Sequence, residues 1–449
     1  MPEAERLKVA VVGSGPAGFY AADALLRGQP PCAVDLFERL PVPFGLVRYG
    51  VAPDHQTIKR VQAAFERTAS QPGFRFFGNV EAGRDVSVDE LRRGYHAVLF
   101  ATGAALDRRL EIPGEDLKGS YAATSFVGWY NGHPDFVDLE FSLVAERAVV
   151  VGMGNVALDV ARILLHDRDE LGKTDISSAA LAALRESPVR EVVLLGRRGP
   201  AQAAFDQGEL EAIADLPNVA VDVDGDVSFE DEADLPAAAR KNLAYLARLK
   251  LAGRVNKPCR LKLRFLASPV ALVGESGHVR GLRIEDNRLV GEGPGVRAEP
   301  TGKIWELETS LVIRSVGYRG AAIDGMPFDS KRNVIPSSAG RVTSASGEPQ
   351  AGLYTSGWIK RGPSGLIGTN KADSKETVDL LLRDADVLSA RTPTLDVAEL
   401  LRSRDVKVVT FADYQRIDAA EKARGAERGK VRDKLTRVAD MLAAAFPKA

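Results

Sequence analysis

A β-branched run that leads directly into a glycine-rich turn and then into a helix-like stretch occurs twice in this chain, and it constrains the fold more than any other feature. The first copy begins with Lys8–Val12 and continues through Gly13-Ser14-Gly15-Pro16-Ala17-Gly18. Gly13 permits a tight turn, Gly15 removes a side chain where a pyrophosphate would approach the backbone, and Gly18 allows close packing of helix on strand. The N-terminus of the following helix attracts an anion. The pattern therefore predicts a dinucleotide-binding turn.

An acidic residue supports this interpretation. A second strand-like run, Ala33–Phe37, ends in Glu38. A carboxylate at this point of the motif can accept hydrogen bonds from a ribose diol. An ordinary glycine turn is the alternative, but the two flanking strands and the acid favour the nucleotide site.

The second copy of the pattern lies in the middle part of the chain. A strand over Ala148–Val151 leads into Gly152-Met153-Gly154-Asn155-Val156-Ala157, and a helix follows over Leu158–Leu165. Alanine takes the place of the third glycine, which the fingerprint allows. Two such turns predict an α/β protein with two Rossmann-like dinucleotide-binding domains.

The residues after the next strand differ from those in the first copy. Glu191–Leu195 ends in Gly196-Arg197-Arg198, where a site for NAD would carry an acid. Two guanidinium groups can bind a 2′-phosphate bidentately, and a solvated arginine pair is the alternative. The long separation from the turn indicates an inserted segment, Asp167–Pro188. We therefore assign FAD to the first site and NADPH to the second.

A third glycine-rich segment lies closer to the C-terminus. The strand-like run Gly352–Thr355 leads into Ser356–Asn370, which contains four glycines and so suggests backbone pressed against a ligand. A helix starting near Thr369 would direct its positive end at Gly365–Ile367, where a reduced anionic flavin ring would be stabilised.

Composition excludes several other classes of protein. With 449 residues, 45% of them hydrophobic, the chain can build a large core. Its two cysteines, Cys32 and Cys259, cannot form a four-cysteine metal or iron–sulfur site, so redox chemistry needs an imported cofactor, and we expect no metal site. The net charge of −1 gives no support for nucleic-acid binding. No apolar run is long enough for a membrane span and no signal-like segment is present, so we expect a cytoplasmic protein.

Several long motifs in a fixed order resemble one known family. They are VVGSGPAGFYAA, FERLPVPFGLVRYGVAPDH (Phe37–His55), GNVALDVARILL (Gly154–Leu165), LGRRGPAQAAF (Leu195–Phe205) and GWIKRGPSGLIGTN (Gly357–Asn370). This combination is similar to the adrenodoxin-reductase-type ferredoxin–NADP reductases, and to their bacterial members in particular. The resemblance runs from about residue 7 to the C-terminal stretch RIDAAEKARGAERGKVRDKL.

The resemblance implies which residues contact the two cofactors. For FAD it adds to Gly13 and Gly15 the residues Ser14, Ala17, Glu38, Leu46, Val80, Trp358, Gly365, Leu366 and Ile367. For NADP it implies Asn155, Val156, Ala157 and Leu158 at the pyrophosphate turn, Arg197 and Arg198 at the 2′-phosphate, and further contacts from Arg108, Glu209 and Gly365.

The activity implied by the resemblance is NADPH:ferredoxin oxidoreduction, with hydride transfer from NADPH to FAD followed by single-electron transfer to a ferredoxin-type iron–sulfur protein. His55 and Glu209 are the acid–base candidates in this scheme, although a lone loop histidine such as His55 is often a surface residue. Two alternatives remain open. One is an NADPH diaphorase or quinone reductase with a small-molecule acceptor, and the other is a non-enzymatic NADP-binding sensor.

The order of the landmarks predicts a discontinuous first domain. The FAD domain needs both the first turn and the GWIKRGPSG segment, so we expect it to comprise residues 1–103 and 330–449. The NADP domain, residues 104–329, would then be inserted between these parts, with the strand-like run Leu311–Val316 near the return.

A charge-segregated stretch lies inside the second predicted domain. Seven acids and no bases occupy Asp222–Asp234, and nine bases and no acids occupy Leu235–Arg264. A helix over Ala237–Leu251 would place Arg240, Lys241 and Arg248 on one face and Leu243, Leu246 and Leu249 on the other. This basic face is a candidate docking surface for an acidic ferredoxin, and an ordinary solvated helix face is the alternative. We expect the protein to be a monomer.

Overall fold

The computed structural model describes residues 6–225, 235–253, 255–291 and 295–447. The chain divides into two compact units. The first comprises Met1–Val51, His55–Leu106 and Tyr318–Ala449, and the second comprises Ala52–Asp54 and Asp107–Gly317.

The strands are β1 (Leu7–Val12), β2 (Cys32–Glu38), β3 (Phe74–Gly78), β4 (Ala97–Phe100), β5 (Leu106–Asp107), β6 (Ser120–Ala122), β7 (Arg147–Val151), β8 (Glu191–Leu195), β9 (Val219–Asp224), β10 (Cys259–Arg264), β11 (Ala267–Glu275), β12 (His278–Val290), β13 (Arg297–Glu308), β14 (Leu311–Arg314), β15 (Tyr318–Arg319), β16 (Ser337–Ser338), β17 (Arg341–Thr343) and β18 (Pro349–Thr355).

The α-helices are α1 (Pro16–Leu26), α2 (Leu46–Tyr49), α3 (Gln56–Lys59), α4 (Gln62–Ala69), α5 (Val88–Gly94), α6 (Ala123–Tyr130), α7 (Asn155–Leu165), α8 (Arg168–Gly172), α9 (Ser178–Glu186), α10 (Gln207–Ala214), α11 (Ala237–Ala252), α12 (Trp358–Arg361), α13 (Thr369–Arg383), α14 (Ala385–Ser389), α15 (Val397–Ser403), α16 (Phe411–Glu427) and α17 (Val438–Ala445).

The sheet of the first unit has the order β16-β17-β18-β4-β1-β2-β3. Strands β18, β4, β1, β2 and β3 run parallel to one another, and β16 and β17 form an antiparallel edge. Val9 and Val11 of β1 pack with apolar residues of α1 and α13, whereas Ala10 and Val12 pack into a core cluster on the opposite face. Burial on both faces explains why this strand is a continuous apolar run in the sequence.

The sheet of the second unit is parallel throughout its described strands, in the order β6-β14-β7-β8-β10-β9. The central strand β7 again faces two cores. Val150 packs in a cluster with α7, and Val149 and Val151 pack against residues of β11 and β12. The segment predicted as an insertion, Asp167–Pro188, contains α8 and α9, which lie between α7 and β8 along the chain.

Strands β11, β12 and β13 form an antiparallel sheet that no sequence feature predicted. It covers one face of the parallel sheet through Leu272, Leu282 and Ile284, which pack with Val149 and Val151. The outer strand β13 is largely exposed and charged, so its sequence lacks a continuous apolar run.

The predicted class, an α/β protein with two Rossmann-like parallel sheets, is confirmed. The chain passes between the units at Leu106/Asp107 and Gly317/Tyr318, rather than at the predicted positions 103/104 and 329/330. Residues 318–329 belong to the first unit because the last strand of the second sheet, β14, already ends at Arg314. Over the described residues, no helix combines the length and apolar character needed to cross a bilayer.

Candidate cofactor sites

The first glycine turn lies where the strand order of its sheet reverses, between β1 and α1 with β2 on one side and β4 on the other. The Gly13 N–H donates to the Phe37 carbonyl at 2.8 Å. Gly13 has a φ of +105°, and a Cβ there would lie 2.6 Å from the Ala101 carbonyl oxygen. A Cβ on Gly18 would lie 1.9 Å from the Gly13 oxygen. Both glycines are therefore required by the packing of the protein itself.

Gly15 differs from these two glycines. It precedes α1 with ordinary extended dihedrals, φ −73° and ψ −175°, and a Cβ placed on it would meet no heavy atom within 4 Å. Backbone strain and internal packing therefore do not explain a glycine here. The open cradle at the N-terminus of α1 fits the close approach of a pyrophosphate.

The Glu38 carboxylate is fixed beside this turn. Its Oε2 accepts hydrogen bonds from the Ser14 hydroxyl at 2.6 Å and the Ser14 N–H at 3.2 Å, and its Oε1 accepts one from the Leu40 N–H at 3.1 Å. The Val80 N–H donates to the Glu38 carbonyl at 2.9 Å, while the Val80 side chain is buried in the core. A carboxylate that only accepts, held at the end of β2, suits the hydroxyl groups of a ribose.

Two further segments predicted to contact FAD lie against the first turn. The Phe44 N–H donates to the Ser14 carbonyl at 3.1 Å, which brings the start of α2 and its first residue, Leu46, beside the turn. A Cβ on Gly357 would lie 2.7 Å from the Cβ of Ala17. The structure therefore brings together three segments that are far apart in the sequence.

The glycine-rich segment after β18 is held in shape by its own side chains. The Asp373 carboxylate accepts from the Gly357 N–H at 2.5 Å and the Ser356 hydroxyl at 3.0 Å. The Trp358 Nε1 donates to the Ser364 carbonyl at 3.0 Å. The exposed residues Gly365 and Leu366 form the tip of this loop.

Helix α13 begins at Thr369, as predicted. Two of its first N–H groups already have backbone acceptors. The N–H groups of Thr369 and Asn370 donate to the carbonyls of Leu366 and Ile367, respectively, both at 3.2 Å. The Leu366 N–H donates to the Thr369 hydroxyl at 3.1 Å. The start of this helix therefore first stabilises the Gly365–Ile367 loop that was predicted to contact the flavin.

The second glycine turn repeats the geometry of the first. The Gly152 N–H donates to the Leu195 carbonyl at 2.9 Å, and a Cβ on Gly152 would lie 2.2 Å from the Ser315 oxygen. Gly154 precedes α7 with a φ of −118°, and a Cβ on it would meet nothing within 4 Å. As at Gly15, the glycine fits a phosphate that approaches the backbone.

Helix α7 contains the other residues predicted for this turn. Asn155 is its first residue and exchanges two hydrogen bonds with Asp206, at 2.8 and 2.7 Å. Val156 is half-buried, and Ala157 and Leu158 are buried. Arg108 is exposed, and its N–H donates to the Gly317 carbonyl at 3.0 Å.

Arg197 and Arg198 come directly after Gly196 at the end of β8, whereas Glu38 is the last residue of β2, the corresponding strand of the other sheet. Both side chains are exposed. Among the residues that the structure describes, neither guanidinium forms an ion pair. The two turns therefore have similar backbone geometry. The neighbouring strand provides a negative charge, Glu38, at the first turn and two positive charges, Arg197 and Arg198, at the second.

Arg162, which was not predicted as a site residue, is the centre of a buried ionic cluster in the second unit. Its side chain is only 2% exposed. It binds Asp54 with two hydrogen bonds at 2.6 and 3.2 Å, Asp159 at 2.6 Å and Glu209 at 3.3 Å. The sequence signal that could have identified it is the Asp159 and Arg162 pair, three residues apart in a largely apolar helix α7.

This cluster shifts the pKa of Arg162 and of Glu209. Burial alone would lower the pKa of Arg162, but Asp159 and Asp54 raise it. Burial raises the pKa of Glu209, the positive charge of Arg162 opposes this, and Asp54 adds to it. A carboxyl group with a raised pKa suits proton exchange. The other acid–base candidate, His55, is half-buried at the start of α3 in the first unit.

The C-terminal helix α16 also contributes a residue that was not predicted. Glu421 is fully buried and binds the buried Arg48 of α2 at 2.5 Å. It also accepts from Arg432 at 2.8 Å and from the Leu435 N–H at 2.9 Å. This pair holds the helix that begins with Leu46, so a helix of the C-terminal region fixes a segment that was predicted to contact FAD.

Two parallel sheets, each with a glycine turn at its switch point, define a protein with two dinucleotide sites. A family model for pyridine nucleotide-disulphide oxidoreductases matches residues 7–207. The NADPH-ferredoxin reductase FprA of Mycobacterium tuberculosis is 46% identical over 97% of this chain and 98% of its own length. The mitochondrial NADPH:adrenodoxin oxidoreductase of Homo sapiens is 44% identical over 97% of this chain and 91% of its own. The solved structure of M. tuberculosis FprA in complex with NADPH matches with a TM-score of 0.93 at 45% identity, covering 98% of this chain and 100% of that chain.

The chain belongs to the adrenodoxin reductase/FprA family. The resemblance inferred from its motifs is thereby confirmed over nearly the whole length.

Proposed function

We propose that this protein is an NADPH:ferredoxin oxidoreductase that binds FAD in its first unit and NADPH in its second. The observation that carries the proposal is that two glycine turns of similar geometry lie beside side chains of opposite charge. Glu38 is fixed beside the first open cradle, and Arg197 and Arg198 are exposed after the strand beside the second. The carboxylate suits a free ribose diol, and the guanidinium groups suit a 2′-phosphate.

The chain's own residues would bind and orient the cofactors. Bound FAD supplies the conversion of a two-electron hydride into single electrons, which side chains cannot perform. Gly15 and Gly154 offer backbone to the two pyrophosphates, and the Gly365–Ile367 loop offers backbone to the flavin. The Glu209 carboxylate, fixed by Arg162 and with a raised pKa, can hold a proton to higher pH than an exposed glutamate. His55 is the second candidate for this role.

The candidate docking surface for an acidic ferredoxin is the exposed face of α11, formed by Arg240, Lys241 and Arg248. Leu243 and Leu246 on the opposite face are buried. Arg248 also stacks over the Tyr245 ring, 4.7 Å from its centroid. An exposed basic face on a firmly packed helix is suited to steering a negatively charged partner.

The acids at the start of the neighbouring acidic run pair with bases of β10. Asp222 pairs with Arg260, and Asp224 pairs with Arg264 at 3.1 Å. Residues 226–234 lie outside the described residues. Asp222 and Asp224 thus pair with two of the nine bases, both on β10 and neither among the residues of the docking surface. The monomeric state and the cytoplasmic location stay predictions.

The experiment that tests the proposed function is steady-state NADPH oxidation by the purified protein with a panel of ferredoxins and cytochrome c as the terminal reporter. We expect reduction of cytochrome c to depend on the ferredoxin. Equal rates without any ferredoxin, together with fast quinone reduction, would instead identify a diaphorase. A colourless protein would contradict both enzyme functions, because each needs bound FAD.

A further inference from the structure

The Gly196–Arg198 segment, which carries the arginine pair, is fixed through three consecutive carbonyl groups. The Gly196 carbonyl accepts from the Ala267 N–H at 3.0 Å, and the Arg198 carbonyl accepts from the Leu266 N–H at 3.1 Å. Between them, the Arg197 carbonyl accepts from the Asn287 Nδ2 at 2.8 Å. The outer two bonds are backbone bonds that many sequences could form, whereas the middle bond depends on one side chain.

Asn287 is firmly held in the three-stranded sheet. It is only 8% exposed, and its own N–H donates to the Leu266 carbonyl at 2.8 Å. The second hydrogen of its amide is directed at the Ser268 hydroxyl at 2.7 Å. It also follows a shift in the register between β12 and β13, and such irregularities often re-aim a side chain toward a functional loop.

This bond acts on the orientation of both arginines. The Arg197 carbonyl belongs to the peptide group that joins Arg197 to Arg198, so fixing it sets the direction in which both side chains leave the backbone. Both guanidinium groups are exposed and form no ion pair within the described residues. A loop ordered before the ligand arrives does not lose that conformational freedom on binding.

We infer that Asn287 is a positioning residue for the recognition of a 2′-phosphate, acting through the Arg197–Arg198 peptide group. The inference rests on the proposed function, in which these arginines bind the 2′-phosphate of NADPH. It assigns a role in nucleotide selectivity to the antiparallel sheet β11–β13. A nucleotide without the 2′-phosphate makes no use of the arginine pair, so its affinity should not depend on Asn287.

The test compares two nucleotide fragments that differ in this phosphate. Calorimetric titration of the holoprotein with 2′,5′-ADP and with 5′-AMP gives two dissociation constants without any turnover. For Asn287→Leu we expect the dissociation constant of 2′,5′-ADP to rise about 3- to 10-fold, the range that one hydrogen bond supports. The constant for 5′-AMP should change by less than about twofold.

Asn218→Ala is the matched control. Asn218 also donates from its amide to a backbone carbonyl of the same unit, that of Leu165 at 2.8 Å, but it lies outside the arginine segment. It should change neither constant. If Asn287→Leu does not fold, Asn287→Ala removes the same donor without adding a branched apolar side chain.

Two results would overturn the inference. One is an equal loss for both fragments, which would indicate a general structural role. The other is no loss for either fragment while Arg197→Ala/Arg198→Ala still weakens 2′,5′-ADP binding, which would leave the proposed function intact. If the double arginine variant also has no effect, the 2′-phosphate site itself is wrong, and the inference falls with it.

Discussion

At the scale of single residues, glycines of the same motif serve different purposes. Gly18 is required because a Cβ there would lie 1.9 Å from the Gly13 oxygen. Gly15 has ordinary dihedrals and open space around a Cβ. A glycine loses more backbone entropy on folding than alanine does. Neither strain nor packing requires a glycine at this position, so a ligand that approaches the backbone explains it.

This difference predicts opposite effects for two alanine variants. Gly15→Ala should leave the free energy of unfolding of the apoprotein within about 0.5 kcal/mol of the wild type, because surface changes without clashes are nearly neutral. Its FAD dissociation constant should rise at least about tenfold, because the added methyl group blocks the approach of the pyrophosphate.

Gly18→Ala is the control, and it should lower the free energy of unfolding by about 1–3 kcal/mol or more, as overpacking does. Denaturant unfolding of the apoprotein and flavin titration give the two quantities. If Gly15→Ala destabilised the apoprotein as much as Gly18→Ala, the glycine would serve the fold and not the cofactor.

The arginine pair gives a second prediction at this scale. Arg197→Ala/Arg198→Ala should lose at least one charge-assisted contact, and the preference for NADPH over NADH should fall by roughly 10- to 150-fold. The ratio of kcat/KM for the two nucleotides measures this preference. An unchanged ratio would mean that other residues recognise the phosphate.

At the scale of elements, helix α11 is predicted to control the rate of encounter with a ferredoxin. Lys241→Glu should lower kcat/KM for ferredoxin at low salt, because a reversed charge repels an acidic partner. The double variant Arg240→Glu/Lys241→Glu should lower it by about tenfold. The effect should shrink as salt is added, and ferricyanide reduction should stay unchanged.

The matched control for this helix is Lys118→Glu, since Lys118 is another exposed lysine of the second unit. It should leave ferredoxin reduction at the wild-type rate. A fall of ferredoxin and ferricyanide reduction together in the α11 variants would show a structural role for this surface.

The sheet β11–β13 is held by an ion cluster whose pH dependence can be predicted. Burial alone would raise the pKa of Asp286, but hydrogen bonds from Lys303, Trp305 and Arg264 lower it from 3.8 to about 2. Because the folded-state pKa is below the unfolded one, the ionised carboxylate stabilises the fold fully above pH 3.8, and this contribution is lost as the pH falls toward 2.

Asp286→Asn should therefore lower the free energy of unfolding at pH 7 by about 1–2 kcal/mol, less than the shift alone implies because solvent screens the exposed partners. Urea unfolding at several pH values checks this, with Glu275→Gln on the same sheet as a neutral control. The difference from the wild type should be constant from pH 7 to about 5 and shrink below about 4. A constant difference down to low pH would contradict the assignment of the effect to the Asp286 charge.

The elements that could be predicted from sequence are those whose burial or backbone geometry leaves a pattern within a short stretch of residues. Strands such as β1 and β7 are continuous apolar runs because both of their faces are buried, and the turns after them need glycine for steric reasons. The sheet β11–β13 lacks such runs because β13 is mostly exposed. Glu421 was missed because its partner Arg48 is distant in sequence. For Arg162 the only local sign was Asp159 in the same helix, and its other partners, Asp54 and Glu209, are distant in sequence.

At the scale of the whole molecule, both units have the same sheet and glycine-turn arrangement, but the charged residues beside the two turns have opposite signs. Both units place a glycine turn and an open cradle at the switch point of a parallel sheet. The neighbouring strand ends in Glu38 in the first unit and is followed by the arginine pair in the second. We propose that this change of charge assigns FAD to the first site and NADPH to the second. With only two cysteines, these 449 residues cannot supply the four thiolate ligands of a cysteine-bound iron–sulfur cluster.

The most direct test of this account is an anaerobic stopped-flow measurement of flavin absorbance in the purified holoprotein. We predict that NADPH bleaches the flavin band much faster than NADH does, and that about two equivalents of an oxidised ferredoxin then restore it. Equal rates with NADPH and NADH, or a bleached flavin that only a quinone restores, would contradict the account.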